Sequence, residues 1–181
     1  MRLFVALWPP AAALAELQSA VEPVRAEHSD LRWQPTARWH LTMAFIGAVD
    51  DAREPAVREA VARAAAAEPV SQAVRLAGAG TFGRLLWIGL EPHPSPVAPL
   101  AQAVACELRA SGFAIERRPW SPHLTVARAR DGLADLQAGR AALASYIGPE
   151  WFVTELTLVR SQTGPQPSYE VLARLPVAST A

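Results

Sequence analysis

The strongest constraint on this chain is a pattern that it carries twice. Trp39-His40-Leu41-Thr42-Met43-Ala44-Phe45-Ile46-Gly47 and Pro122-His123-Leu124-Thr125-Val126-Ala127-Arg128 both read His-apolar-Thr-apolar-Ala inside an apolar, β-prone run. In an extended strand, side chains at i and i+2 share a face. Each copy therefore predicts an imidazole beside a hydroxyl on one surface. In the first copy the other face is Trp39, Leu41, Met43 and Phe45, all bulky and apolar, which assigns it to the core and turns His40 and Thr42 toward a cleft. A lone His-x-Thr strand means little, but these two copies use half of the chain's four histidines. They lie nearly half a chain apart, as expected of two similar lobes facing each other across a groove.

A chain of 181 residues can bury a substantial core, and residues 1–181 read as one domain built of two intimately packed lobes. Formal net charge is zero, so no global field draws the protein to long nucleic acid, and contact with a polyanion must be local. All 17 basic residues are arginine, which excludes a lysine nucleophile of the kind used in ATP-dependent nucleotidyl transfer. Cys106 cannot form an intramolecular disulfide, and its place near Val104 and Leu108 predicts a buried structural thiol. No cysteine cluster offers a metal site. His40 and His123 bring no carboxylate or cysteine with them inside either motif, so no metal is expected. The apolar start, Met1 to Trp8, carries only Arg2 and is cut short by Pro9-Pro10, which reads as a strand rather than a signal peptide. No apolar run approaches membrane-spanning length. A cytoplasmic monomer with no membrane partner is expected.

Along the chain, Arg2 to Leu7 reads as a strand. Leu14, Leu17, Val21 and Val24 recur at helical spacing, with Pro23 expected to end or kink that helix. Leu31 to Thr36 reads as a short connection, and Gly47 as the end of the first motif strand. Asp50 and Asp51 offer N-caps for a helix through Val57 and Val61 to about Ala67. Gln72–Ala77 and Leu85–Leu90 read as strands joined by a flexible hairpin connection over Gly78 to Gly83. That stretch lacks the Gly-Lys-Ser/Thr end of a phosphate-binding loop. A proline-rich link with an exposed His93 precedes a helix over Val97 to Leu108, and His28 is likewise expected to be exposed and idle. Phe113–Glu116 begins a strand before the second motif. A helix over Leu133–Tyr146 and strands over Phe152–Arg160 and Tyr169–Leu175 follow, the last two around a turn-rich segment. The whole is α+β with largely antiparallel sheets.

Two imidazoles across a groove can serve as base and acid in one displacement, because each titrates near neutrality. The Thr42 and Thr125 hydroxyls can hydrogen-bond nonbridging phosphoryl oxygens, and an arginine can add bidentate charge. That is equipment for opening or closing a phosphodiester without a metal.

On these residues the chain resembles the two-histidine (2H) phosphoesterases, and more closely the RNA 2′,3′-cyclic phosphodiesterases also called 2′-5′ RNA ligases. The resemblance rests on Arg2 to Ala6, His40 to Gly47, Arg118 to Arg128 and a final hairpin over Ser161 to Leu175. It implies a bilobal fold, two antiparallel sheets facing a central cleft with helices outside. It also implies cofactor-free hydrolysis of terminal RNA 2′,3′-cyclic phosphates to 2′-phosphates, with ATP-independent 2′-5′ ligation as the same chemistry run on a 5′-hydroxyl. RNA or oligonucleotide ends carrying the cyclic phosphate would be the partners. His40 is expected as the acid and His123 as the base, with Thr42, Thr125 and Arg128 on the phosphate and Trp120 a candidate for stacking on a base. Strict alternation sends Arg128 to the face opposite Thr125, so a bulge or twist must redirect it. Two alternatives remain open at this point: another cyclic or 2′-linked nucleotide as substrate, or a noncatalytic module that holds phosphorylated ends.

Overall fold

The structure is a computed structural model and describes residues 1–130, 134–162 and 168–178. Its strands are β1 (Arg2–Leu7), β2 (Leu31–Trp33), β3 (Leu41–Ala48), β4 (Val74–Phe82), β5 (Leu85–Glu91), β6 (Leu124–Ala129), β7 (Ile147–Trp151), β8 (Glu155–Gln162) and β9 (Ser168–Pro176). Its helices are α1 (Ala11–Glu27), α2 (Glu54–Ala67), α3 (Ala98–Ala110) and α4 (Ala134–Leu143). The fold is α+β, and the strands pair antiparallel in the order β7-β4-β5-β6-β3-β1-β8-β9, with β2 added on β6.

The strands form one continuous sheet, in which the two expected sheets are joined as the two halves of its path. One is β7-β4-β5-β6 and the other β3-β1-β8-β9, each ending in a motif strand. The halves touch through the pair Leu41↔Leu124, the residue directly after each motif histidine. Helices α1 and α4 pack on the first half, and α2 and α3 on the second. Alternation explains the layering. Leu3, Val5 and Leu7 of β1 join the large helix-covered core, while Phe4 and Ala6 form a separate small cluster with Val159 and the half-buried Trp8. That second cluster contains no helical residue, and its Phe4 and Trp8 rings pack against His40.

Several local expectations are corrected. Helix α1 runs through Pro23 to Glu27. Pro23 is exposed, and so is Ser19, whose carbonyl loses its helical donor to the proline. Val21 and Val24 stay buried and hold the last turn to the core. Residues Gly78 to Phe82 belong to β4, so no flexible connection exists there; the hairpin turns at Gly83 and Arg84. Gly80 is needed because the Trp87 ring lies across it: an added Cβ would stand 2.1 Å from that indole. Strand β3 continues one residue past Gly47, which takes φ 82° at a register shift. Phe113–Glu116 forms no strand, although Phe113 is buried. The short strands β2 and β7 were not separately legible.

Neither Asp50 nor Asp51 caps a helix through its side chain. Asp51 instead accepts from the N-terminal ammonium at 3.2 Å. Cys106 is exposed, because Leu100, Ala101, Val104 and Leu108 take the buried face of α3 and leave Cys106 on the other. His93 is exposed and His28 half-buried. The expected helix start at Leu133 and the turn at 163–167 lie outside the described residues. Among the described residues, no helix is long and apolar enough to cross a membrane.

Candidate active site

Both motif histidines stand one residue before their strands, at the junction of the two halves. The same device fixes each ring. His40 Nδ1 lies 2.7 Å from the carbonyl of Arg38, and His123 Nδ1 lies 2.9 Å from the carbonyl of Ser121. A carbonyl can only accept, so Nδ1 carries the hydrogen in each ring, and Nε2 is left to exchange a proton with a substrate. The rings are close enough for a positive charge on His123 to lower the affinity of His40 for a proton.

Their surroundings differ. His40 is packed among Phe4, Trp8 and Tyr169, with ring centroids 5.0, 5.0 and 5.5 Å away. This burial, chiefly, pushes its pKa down from 6.5 to about 4; the Arg38 carbonyl opposes the shift and His123 adds to it. His123 makes a T-shaped contact with the ring of Phe82, centroids 4.8 Å apart. These aromatic walls went unassigned in the sequence. The available signal was the alternation of Phe4, Ala6 and Trp8 opposite Leu3, Val5 and Leu7.

Bulges decide what else faces the groove. The β1–β3 ladder skips Met43 between the pairs Ala6↔Thr42 and Val5↔Ala44. The β5–β6 ladder skips Val126 between Trp87↔Thr125 and Leu86↔Ala127. One extra residue reverses the phase of alternation. As a result Leu41–Ile46 and Leu124–Ala129 share one burial sequence: buried, half-buried, buried, buried, exposed, buried. The exposed residues are Phe45 and Arg128, each three positions after a motif threonine and on its face. Phe45 is therefore not core, as alternation alone implied; it is 52% exposed, with the Arg2 guanidinium 5.4 Å from its ring centre. The bulge at Val126 puts the exposed Arg128 on the face of Thr125. Thr42 and Thr125 are half-buried.

Trp120 is tied to the first motif strand. Its indole N–H donates to the Thr42 carbonyl at 2.8 Å, and its ring packs against the main core. It also lines a cavity of about 800 Å³ with the Pro92–Pro99 segment, whose lining includes neither motif histidine. Among the described residues no three His, Cys, Asp or Glu side chains come together to hold a metal ion.

The model of the 2′-5′ RNA ligase superfamily matches residues 7–165. The chain belongs to that superfamily. An RNA 2′,3′-cyclic phosphodiesterase of Geobacillus stearothermophilus is 31% identical over 80% of this chain, which spans only 47% of that relative's length. One of Escherichia coli is 29% identical over 88% of this chain and 86% of its own. The crystal structure of Escherichia coli LigT complexed with NADP+ superposes with a TM-score of 0.72 at 26% identity, covering 98% of each chain.

Proposed function

We propose that this member of the superfamily hydrolyses terminal 2′,3′-cyclic phosphates of RNA to 2′-phosphates without a metal, using His40 and His123 as an acid–base pair. The single observation that carries the reading is the matched pair of imidazoles at the Leu41↔Leu124 junction, each anchored through Nδ1 so that Nε2 is left for the substrate. Two relatives bear the name of that activity, and the similar LigT structure holds a phosphorylated nucleotide.

In the reaction the cyclic phosphate sits between the two rings. The Thr42 and Thr125 hydroxyls donate to its nonbridging oxygens, and the Arg128 guanidinium compensates their charge. His123 Nε2 takes a proton from water as its oxygen attacks phosphorus, and His40 Nε2–H protonates the departing 3′ oxygen. With a 5′-hydroxyl in place of water, the same groups make a 2′-5′ bond and no nucleotide is consumed.

Burial holds the His40 pKa near 4, so as the acid it must take up a proton when the phosphate anion binds. Its burial also supports a second reading, with the roles exchanged and His40 ready as a base. A substrate with a much better leaving group separates the two. It rescues His40→Ala more than His123→Ala if His40 is the acid, and the reverse if His40 is the base.

The test of the activity is incubation with a 2′,3′-cyclic nucleotide in the presence of a chelator, with the 2′- and 3′-phosphates resolved. Accumulation of the 2′-phosphate is expected. No turnover, or turnover restored only by a divalent ion, contradicts the proposal.

A further inference from the structure

Arg32 stands directly opposite Arg128 in the β2–β6 ladder. The neighbouring pair Leu31↔Ala129 is buried on the helix side, so alternation puts both arginines on the groove face, and both are exposed. Like charges directly opposite each other destabilise a strand pair. Neither guanidinium has a carboxylate partner among the described residues. Across the other ladder Arg128 pairs with Leu85, and Leu85 with Phe82, whose ring meets His123. The two arginines thus lie on the surface that carries His123 and Thr125, three strand positions beyond Thr125.

At roughly 3.3 Å per residue, that offset is below about 10 Å along β6. An arginine at Arg128 reaches back to a phosphate held at Thr125. Arg32, on the far strand, lies beyond it. We infer that Arg32 and Arg128 together form a subsite for a second phosphate, the phosphodiester one nucleotide upstream of the cyclic end. It rests on the proposed activity and narrows the substrate class to oligonucleotide ends rather than free cyclic mononucleotides. Arg32 bonds the upstream phosphate, and Arg128 is shared between the two phosphates. Two facing guanidiniums supply the bidentate, charge-assisted recognition that a phosphodiester takes. The anion offsets the repulsion between the two facing guanidiniums.

The experiment compares a dinucleotide ending in a 2′,3′-cyclic phosphate with the cyclic mononucleotide, using the parent, Arg32→Gln and Arg32→Lys. The parent is expected to prefer the dinucleotide in kcat/KM. Arg32→Gln should lose roughly tenfold on the dinucleotide and little on the mononucleotide. Arg32→Lys should recover part of that loss, and Arg32→Gln should flatten the salt dependence of dinucleotide binding by about one unit of slope. The affinities of the corresponding 2′-phosphate products, with and without the upstream phosphodiester, give the same comparison without turnover. This separates a failure of the subsite from a failure of the proposed activity. Equal losses on both substrates and both products would place Arg32 at the reacting phosphate and overturn the inference. So would no loss on either, or a parent that binds the two products equally.

Discussion

At the scale of single residues, His40 carries the least ordinary chemistry in the groove. Its pKa of about 4 against 6.5 unfolded means that the unfolded chain takes up a proton that the folded chain refuses. Stability is therefore full above about pH 6.5 and falls as pH drops toward 4, with no further loss from this group below that. The shift corresponds to about 3 kcal/mol at most. Urea unfolding at pH 7 and pH 4.5 should show this acid loss, and His40→Gln should remove most of it. An equal loss in both proteins would show that His40 does not refuse the proton. Phosphate bound against the ring should raise its pKa, so inorganic phosphate should stabilise the parent more at pH 5 than at pH 8.

At the scale of elements, the bulges at Met43 and Val126 arrange the groove. Replacing Arg128 by Ala tests the second of them. The residue is exposed, so the fold should persist while kcat/KM on a cyclic phosphate falls roughly 10- to 100-fold through the lost charge-assisted pair. Activity equal to the parent would mean that Arg128 does not bear on the phosphate. A second element-level test is Gly80→Ala, whose Cβ would meet the Trp87 ring at 2.1 Å. Overpacking there should cost about 1–3 kcal/mol in urea unfolding and disturb the strand beside Thr125. Unchanged stability would show that the indole shifts freely.

These same elements show where the sequence was legible. The strands that carry Thr42 and Thr125 were readable because a period of two needs only neighbouring residues. Phe45 was misread as core because a bulge is set by the partner strand, here β1, which alternation within the motif cannot see. Gly78 to Phe82 looked like a loop because the reason for Gly80, the ring of Trp87, arrives from the next strand. Cys106 was misplaced for a simpler reason: the helical face was visible in Leu100, Val104 and Leu108, and Cys106 is off it.

Across the whole molecule, two four-stranded halves converge on one residue pair, Leu41↔Leu124, and so bring together histidines far apart in sequence. The two motif strands are alike in burial but not in chemistry, since Phe45 stands where the other strand has Arg128. An arginine at one of these matched positions and a phenylalanine at the other suit the phosphate and the base of a nucleotide. The central claim is that the two imidazoles act as one acid–base unit. The most direct measurement is the rate of 2′,3′-cyclic phosphate hydrolysis by the parent, His40→Ala, His123→Ala and the double variant, each checked for folding. Each single variant should lose roughly 10²–10⁴-fold, and the double should be little slower than the slower single. Full activity in either single variant, or losses that multiply in the double, would contradict the account.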